Sequence, residues 1–298
     1  MMNIGFIGLG KMGYNMVLNL FDHDYEVVAY NRSLGPRKRI ARRGVPTVAS
    51  LSELTHSLKK PRIIWIMITA GRPVDMVLSQ VVPHLSKEDI VIDGGNSYFE
   101  DSLRRARLLK SKGIRFLGVG VSGGVSGARH GASMMVGGDA SAFQKTKRVF
   151  EDLCVKDGVA FLGSAGSGHY VKMVHNAIEY GMMGAIAEGM CALKDKQKCL
   201  GFSMSDVLKV YANGSIIEGR LMQWLQKAWK RDPGLKGVKG IVPVGGTEAE
   251  IKKLEKLSTM PILRQARKMR VASRTIPSFC GKVIASLRRE FGGHDTKK

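Results

Sequence analysis

The sequence predicts a doubly wound parallel α/β sheet over residues 1–164, followed by an all-helical second domain over 165–298. Three observations carry this reading. Short apolar runs rich in Val and Ile alternate with helix-like segments through the first half. The strand pattern stops after about residue 163, at the Gly- and Ser-rich hinge "GSAGSG" (163–168). Beyond it only helical periodicity is read, first to about Lys194, then near 203–213, 217–230, 248–258 and 277–291. A chain of 298 residues suits two domains.

The elements follow in order. "NIGFIG" (3–8) is almost continuously apolar, as a strand covered on both faces is. A helical segment at 11–22 precedes the second strand, "YEVVAYN" (25–31), and "RIIWIMI" (62–68) is the third. Helical 73–85 leads to "DIVIDGG" (89–95), and helical 99–112 leads to "RFLGVG" (115–120).

The first turn carries chemistry. "GFIGLGKMG" holds Gly8, Gly10 and Gly13 in the G-x-G-x-x-G spacing, after a strand and opening a helix at Lys11 and Met12. In the dinucleotide fingerprint of Rossmann domains the first glycine permits a tight turn and the second admits a pyrophosphate. The third brings helix and sheet together. The helix start then offers N–H groups to phosphate. The second strand ends in "AYNRS", with Asn31 where an NAD site usually has Asp or Glu, then Arg32 and Ser33. A carboxylate repels a 2′-phosphate and a guanidinium grips it, so NADP is expected over NAD.

The charge is strongly basic: 47 Lys+Arg against 25 Asp+Glu, a net +22. Such a surface attracts anions. The excess is spread along the chain, and no zinc-finger spacing, RNA-binding aromatic motif or heptad zipper accompanies it. A generally basic surface is therefore preferred to a nucleic-acid site. The four cysteines have no Cys-x-x-Cys spacing, so neither a metal knuckle nor a disulfide framework is expected, and reduced thiols in a cytoplasm fit. No signal peptide is read ahead of the first strand. The most apolar stretch, 173–193, contains Glu179 and Glu188 and reads as a buried helix rather than a membrane span.

"GHYVKMVHNAIEYG" (168–181) is the second motif. At about 100° per residue, Lys172, His175, Asn176 and Glu179 fall within an arc of roughly 100°. An ordinary wet face would look similar over two turns. Further along, that arc carries Met183, Ile186, Ala187 and Met190, so the polar island is bounded by apolar residues, as in an enclosed pocket. A partly desolvated lysine can act as a base, and a carboxylate in apolar surroundings as an acid.

These residues resemble the decarboxylating 6-phosphogluconate dehydrogenases in their short form, within the β-hydroxyacid dehydrogenases. The matching stretches are "GFIGLGKMG", "NRS", "DGGNS" (93–97), "GVSGGVSGARHG" (120–131), "KMVHNAIEYG" (172–181) and "LRREFGGH" (287–294). The resemblance implies oxidation of the substrate 3-hydroxyl with hydride passed to NADP, then loss of carbon dioxide to leave ribulose 5-phosphate. It makes Lys172 the base and Glu179 the acid that protonates the enediol carbon, with His175 and Asn176 holding sugar hydroxyls. Ser122, Gly123 and Gly124 match the loop around the substrate carboxylate, and Asn96 matches a residue between nicotinamide and substrate. "MITAG" (67–71), with Ala70, resembles the segment beside the cofactor. Tyr180, Arg270 and Arg288 match phosphate contacts, and His294 a hydroxyl contact. A homodimer is implied, in which the tail carries Arg288 and His294 into the partner's site. No metal is implied, because a β-keto acid's own carbonyl accepts the electrons.

The chain departs from the pattern near the phosphate. "VGGTEAE" (244–250) has Thr247 where the family has Arg or Lys, and Glu218 stands where an arginine is common. Two other readings stay open. One is a β-hydroxyacid dehydrogenase of the 3-hydroxyisobutyrate type, although that group reads "NN" where this chain has His175-Asn176. The other is a basic nucleic-acid-binding protein on a retired dehydrogenase fold.

Overall fold

The computed structural model describes residues 2–296. In order, the first half holds β1 (Asn3–Ile7), α1 (Lys11–Asp22), β2 (Glu26–Tyr30), α2 (Leu34–Ala41), α3 (Leu51–His56) and β3 (Ile63–Ile66). It continues with α4 (Arg72–Val81), β4 (Ile90–Asp93), α5 (Phe99–Lys110), β5 (Arg115–Ser122) and α6 (Gly124–His130). β6 (Ala132–Gly138), α7 (Ala140–Leu153) and β7 (Cys154–Phe161) complete it. Helices follow: α8 (Ser167–Leu200), α9 (Met204–Tyr211), α10 (Arg220–Arg231), α11 (Gly246–Leu257), α12 (Pro261–Ala272) and α13 (Phe279–Gly292). The chain divides into two compact units between Lys172 and Met173, within α8.

In the first unit the strands form one sheet in the order β2-β1-β3-β4-β5-β6-β7. β1 to β5 pair in parallel, for example Ile4 with both Val27 and Ile63. The winding reverses at β1, which has β2 on one side and β3 on the other. The crevice beyond the strand ends at such a switch point is where open α/β sheets bind ligands. Core residues lie on both sheet faces: Phe6, Trp65 and Ile92 on one, Ile7, Ile64 and Val91 on the other. That explains the near-continuous apolar runs.

Two strands that the sequence reading did not include extend the parallel sheet: β6 is antiparallel to β5, Ser122 pairing with Ser133, and β7 is then parallel to β6. The connection over residues 123–131 is shorter than the dozen or so residues a parallel crossover needs. β6 ("ASMMVGG") has few β-branched residues, and β7 is an edge strand with exposed Val155, Lys156 and Asp157, so neither shows the apolar signal of β1 to β5.

In the second unit, Met183, Ala187 and Met190 of α8 are buried against Leu208, Leu225, Val283, Ile284 and Leu287. Among the described residues no helix is long and apolar enough to cross a membrane. The expectation of reduced thiols is corrected. Cys191 and Cys280 form a disulfide joining α8 to α13. Their separation of 89 residues lies beyond any local spacing rule, and only helix packing brings them together.

Candidate active site

The turn after β1 has the shape a pyrophosphate requires. Gly8 has φ +107°, and a Cβ there would lie 2.3 Å from the Met67 carbonyl oxygen. A Cβ on Gly13 would lie 2.0 Å from the Gly8 carbonyl oxygen, so only glycine lets α1 approach the loop. A Cβ on Gly10 would meet nothing within 4 Å. Gly10 is the N-cap of α1, whose first turn has no acidic residue, with Lys11 exposed and Met12 half-buried. This open, uncapped helix start fits a phosphate group.

At the end of β2, the Asn31 side chain is built into the loop. Its Oδ1 accepts from the Leu9 backbone N–H at 2.9 Å and its Nδ2 donates to the Ser33 carbonyl at 3.2 Å. Arg32 and Ser33 are exposed beside it. Arg37 is turned inward, donating from Nη1 to the Val48 carbonyl, while Lys38 is exposed.

Beneath the ends of β3 and β4 lies a buried ionic network. Arg105 of α5 is fully buried and donates to Asp75 (2.8 Å), Asp93 (3.1 Å), Ser97 (3.1 Å) and the Gly71 carbonyl (3.0 Å). Ser97 donates to Asp93 at 2.7 Å, and the Gly95 N–H donates to the same carboxylate at 3.2 Å. One guanidinium thus pins both loops where cofactor contact is expected: the turn holding Ala70 and the turn holding exposed Asn96. Sequence reasoning missed this group. The signal was an arginine on the buried side of an amphipathic helix and an aspartate ending an otherwise apolar strand.

His169 of α8 joins the same region. It is buried, with Nδ1 2.7 Å from the Ser102 hydroxyl and Nε2 3.1 Å from the Gly95 carbonyl. Burial holds its imidazole below the ordinary 6.5. Its folded pKa is thus lower than its unfolded one, so the unfolded state binds more protons as pH falls below about 6.5. The stability owed to His169 is full above that value and is lost on acidification, by at most about 1.4 kcal/mol per pH unit. Urea denaturation at pH 5 and pH 7 should show this loss in the native protein and a smaller one in His169→Gln.

One turn along α8, Lys172 is 8% exposed and packs on β5. A Cβ on Gly120 would lie 2.3 Å from the Lys172 Cβ, so glycine in that strand makes room for the lysine. Ser122 ends β5, and Gly123, with φ +113°, and Gly124 turn the chain into α6.

In the second unit Asn176 and Tyr180 are buried, and His175 and Glu179 are half-buried. His175 Nδ1 lies 3.3 Å from Asn176 Oδ1. Asn176 Nδ2 donates to Glu250 Oε2 at 3.3 Å. Arg270 of α12 is 2% exposed, its guanidinium 3.2 Å from the centroid of the Tyr180 ring. Arg288 of α13 is 7% exposed and donates to the Pro243 carbonyl at 2.9 Å. A Cβ on Gly245 would sit 3.4 Å from Arg288 and 4.0 Å from the Tyr180 hydroxyl, which brings these groups to one place. Burial lowers the pKa of both guanidiniums, Arg270 to about 10. The Glu179 carboxylate acts electrostatically on both, and the Glu248 carboxylate on Arg288. Arg274 is bonded to Glu248. Exposed His294 follows α13, its ring 6.4 Å from that of Phe291. Arg288 therefore lies beside Tyr180 and Arg270 of its own chain.

Comparison with known proteins agrees with this architecture. Residues 3–163 match the model of the NAD binding domain of 6-phosphogluconate dehydrogenase. The chain belongs to the 6-phosphogluconate dehydrogenase family. The model of that family's C-terminal domain matches residues 168–201, most of α8. YqeC of Bacillus subtilis, a candidate 6-phosphogluconate dehydrogenase, is 41% identical over 100% of both chains. The NAD(+)-dependent, decarboxylating 6-phosphogluconate dehydrogenase of Haloferax volcanii is 36% identical over 100% of this chain and 99% of its own. The solved Plasmodium falciparum 6-phosphogluconate dehydrogenase, studied apo, with NADP+ and with 6-phosphogluconate, superposes with TM-score 0.83 at 32% identity. That match covers 92% of this chain and 62% of the Plasmodium chain. Likewise the chain spans 43% of the length of the decarboxylating enzyme from Candida albicans.

Proposed function

We propose that this chain is a decarboxylating 6-phosphogluconate dehydrogenase that prefers NADP. The observation that carries the substrate is the pair of buried guanidiniums, Arg270 and Arg288, beside Tyr180. Two largely desolvated guanidiniums set close together repel one another and favour an anion between them, and a phosphate suits arginine's fork of donors. In this reading residues 1–164 bind the cofactor, and 165–298 bind substrate and dimerise.

The cofactor, when bound, accepts hydride from the substrate's carbinol carbon. Lys172 takes the hydroxyl proton as that hydride leaves, and its ammonium then stabilises the carbonyl oxygen as carbon dioxide departs. Glu179 returns a proton to the enediol carbon. His175 and Asn176 orient the sugar hydroxyls, Ser122 with Gly123 and Gly124 surrounds the carboxylate, and Asn96 spaces nicotinamide from substrate. The exposed tail at His294 reaches the partner site of a homodimer. Exposed Val210, Ile216 and Leu200 on the second unit supply apolar surface for association.

Two assays test the proposal. Cofactor reduction is followed with 6-phosphogluconate, with gluconate and with 3-hydroxyisobutyrate, and only the first should support efficient turnover. Efficient turnover of 3-hydroxyisobutyrate alone would move the chain to that neighbouring group. The cofactor preference rests on Arg32, exposed at the end of β2, and the NAD(+)-dependent Haloferax relative makes it the residue to vary. Arg32→Ala should lower kcat/KM for NADP relative to NAD by about 10- to 100-fold, the loss of a charged hydrogen bond. A native enzyme faster with NAD would overturn the preference.

A further inference from the structure

We propose that His169 is a positioning residue, which holds the turn of Asn96 at a fixed distance from Lys172. The inference rests on the proposed reaction and goes beyond it, because that mechanism makes no use of His169. The ring is 1% exposed and meets the Gly95 carbonyl at Nε2 (3.1 Å) and the Ser102 hydroxyl at Nδ1 (2.7 Å). A carbonyl oxygen only accepts, so Nε2 carries the hydrogen. Burial lowers the pKa of the ring most, with Asp93 opposing it and Arg105 assisting, so the ring is neutral at pH 7. In that tautomer Nδ1 accepts, and the Ser102 O–H donates to it. The Tyr98 carbonyl, 3.3 Å from the same hydroxyl, is the weaker acceptor. One imidazole therefore ties α8 to α5 through Ser102 and to the turn after β4 through Gly95.

Both sides of that tie carry a residue of the proposed chemistry. At the turn, the Gly95 N–H donates to Asp93 at 3.2 Å and the Gly95 carbonyl accepts from His169. Ser97 bonds to Asp93 at 2.7 Å and to Arg105 at 3.1 Å. Asn96 is thus an exposed residue between two buried, anchored neighbours. On α8, His169 and Lys172 stand three residues apart and share a face. Gly118 and Gly120, on one face of β5, seat that pair. A Cβ on Gly118 would lie 3.0 Å from His169 Nδ1, and one on Gly120 2.3 Å from the Lys172 Cβ. The strand fixes the depth of both side chains, and the hydrogen bond to Gly95 fixes the turn relative to them. An apolar residue of similar size would fill the space but lack the N–H that holds the Gly95 carbonyl. In the proposed reaction hydride leaves toward the nicotinamide beside Asn96 while the hydroxyl proton leaves toward Lys172. Both residues must therefore keep their places around one carbinol group, where a misplacement of about 1 Å costs on the order of 10²-fold in rate.

The test compares wild type, His169→Leu, His169→Gln and Ser102→Ala. Glutamine extends an amide N–H toward the position of Nε2, whereas leucine offers no donor. Single-turnover stopped flow with 6-phosphogluconate and saturating NADP gives the rate constant for hydride transfer. His169→Leu should lower it about 10- to 100-fold, with little change in KM for either substrate or cofactor. His169→Gln should recover most of that loss, and Ser102→Ala should show a smaller fall. A role in folding alone would reduce the amount of active protein and leave the rate constant unchanged. An unchanged rate constant in His169→Leu, or glutamine no better than leucine, would overturn the assignment. If His169→Leu does not fold, an unchanged rate constant in Ser102→Ala overturns it instead. If wild type reduces no cofactor with 6-phosphogluconate, the functional reading fails separately. Amide hydrogen exchange then reads His169 without a substrate. Residues 94–98 should exchange faster in His169→Leu than in wild type while β4 is unchanged, and equal exchange would overturn the tie.

Discussion

Lys172→Met should lower kcat for cofactor reduction by about 10²- to 10⁴-fold, the usual contribution of a positioned general base. The dissociation constant of the cofactor should change little, because the Gly8, Gly10 and Gly13 turn is formed by β1 and α1 without it. Methionine keeps the length and the apolar stem that packs on Gly120, so stability should be preserved. Stopped-flow reduction of the cofactor with saturating substrate measures the effect. A variant retaining more than a tenth of native kcat would remove Lys172 from the chemistry.

The second large effect falls on stability. Arg105→Leu should destabilise the protein by about 3–5 kcal/mol, because Asp93 is left fully buried without its cation. In a domain of this size that lowers Tm by roughly 10 °C. Arg104 lies next in sequence and bonds Asp75 and Asp101 at the surface. Arg104→Ala should cost under about 1 kcal/mol. Differential scanning fluorimetry of the two variants separates the buried network from the exposed one. Arg105→Leu should also raise KM for the cofactor, since Gly71 and Ser97 lose the donor that fixes their loops. Similar Tm values for both variants would contradict the role given to Arg105.

Much of this was legible in the sequence where one local period carried it. β1 to β5 are apolar on both faces, so a short run of Val and Ile announces each strand. The glycine motif sat between such a strand and a helix, and the structure gives its three glycines three distinct surroundings. What was missed depends on long-range packing. β6 and β7 lie at one side of the sheet and lack the apolar run. Arg270 was placed at a phosphate by resemblance alone, and the fold sets it in α12, nearly fully buried. Composition records the charge of an arginine, not the tyrosine ring it lies against. Cys191 with Cys280, Asp93 with Arg105 and Asn176 with Glu250 are likewise pairs that only the fold assembles.

Under the proposed function one chain couples oxidation to decarboxylation of a phosphorylated sugar acid. The most direct measurement supplies 6-phosphogluconate labelled at its carboxyl carbon and follows NADPH formation and labelled carbon dioxide together. Equal amounts of the two products are expected, both lost in Lys172→Met. NADPH without labelled carbon dioxide, or no turnover of this substrate by the native protein, would contradict it.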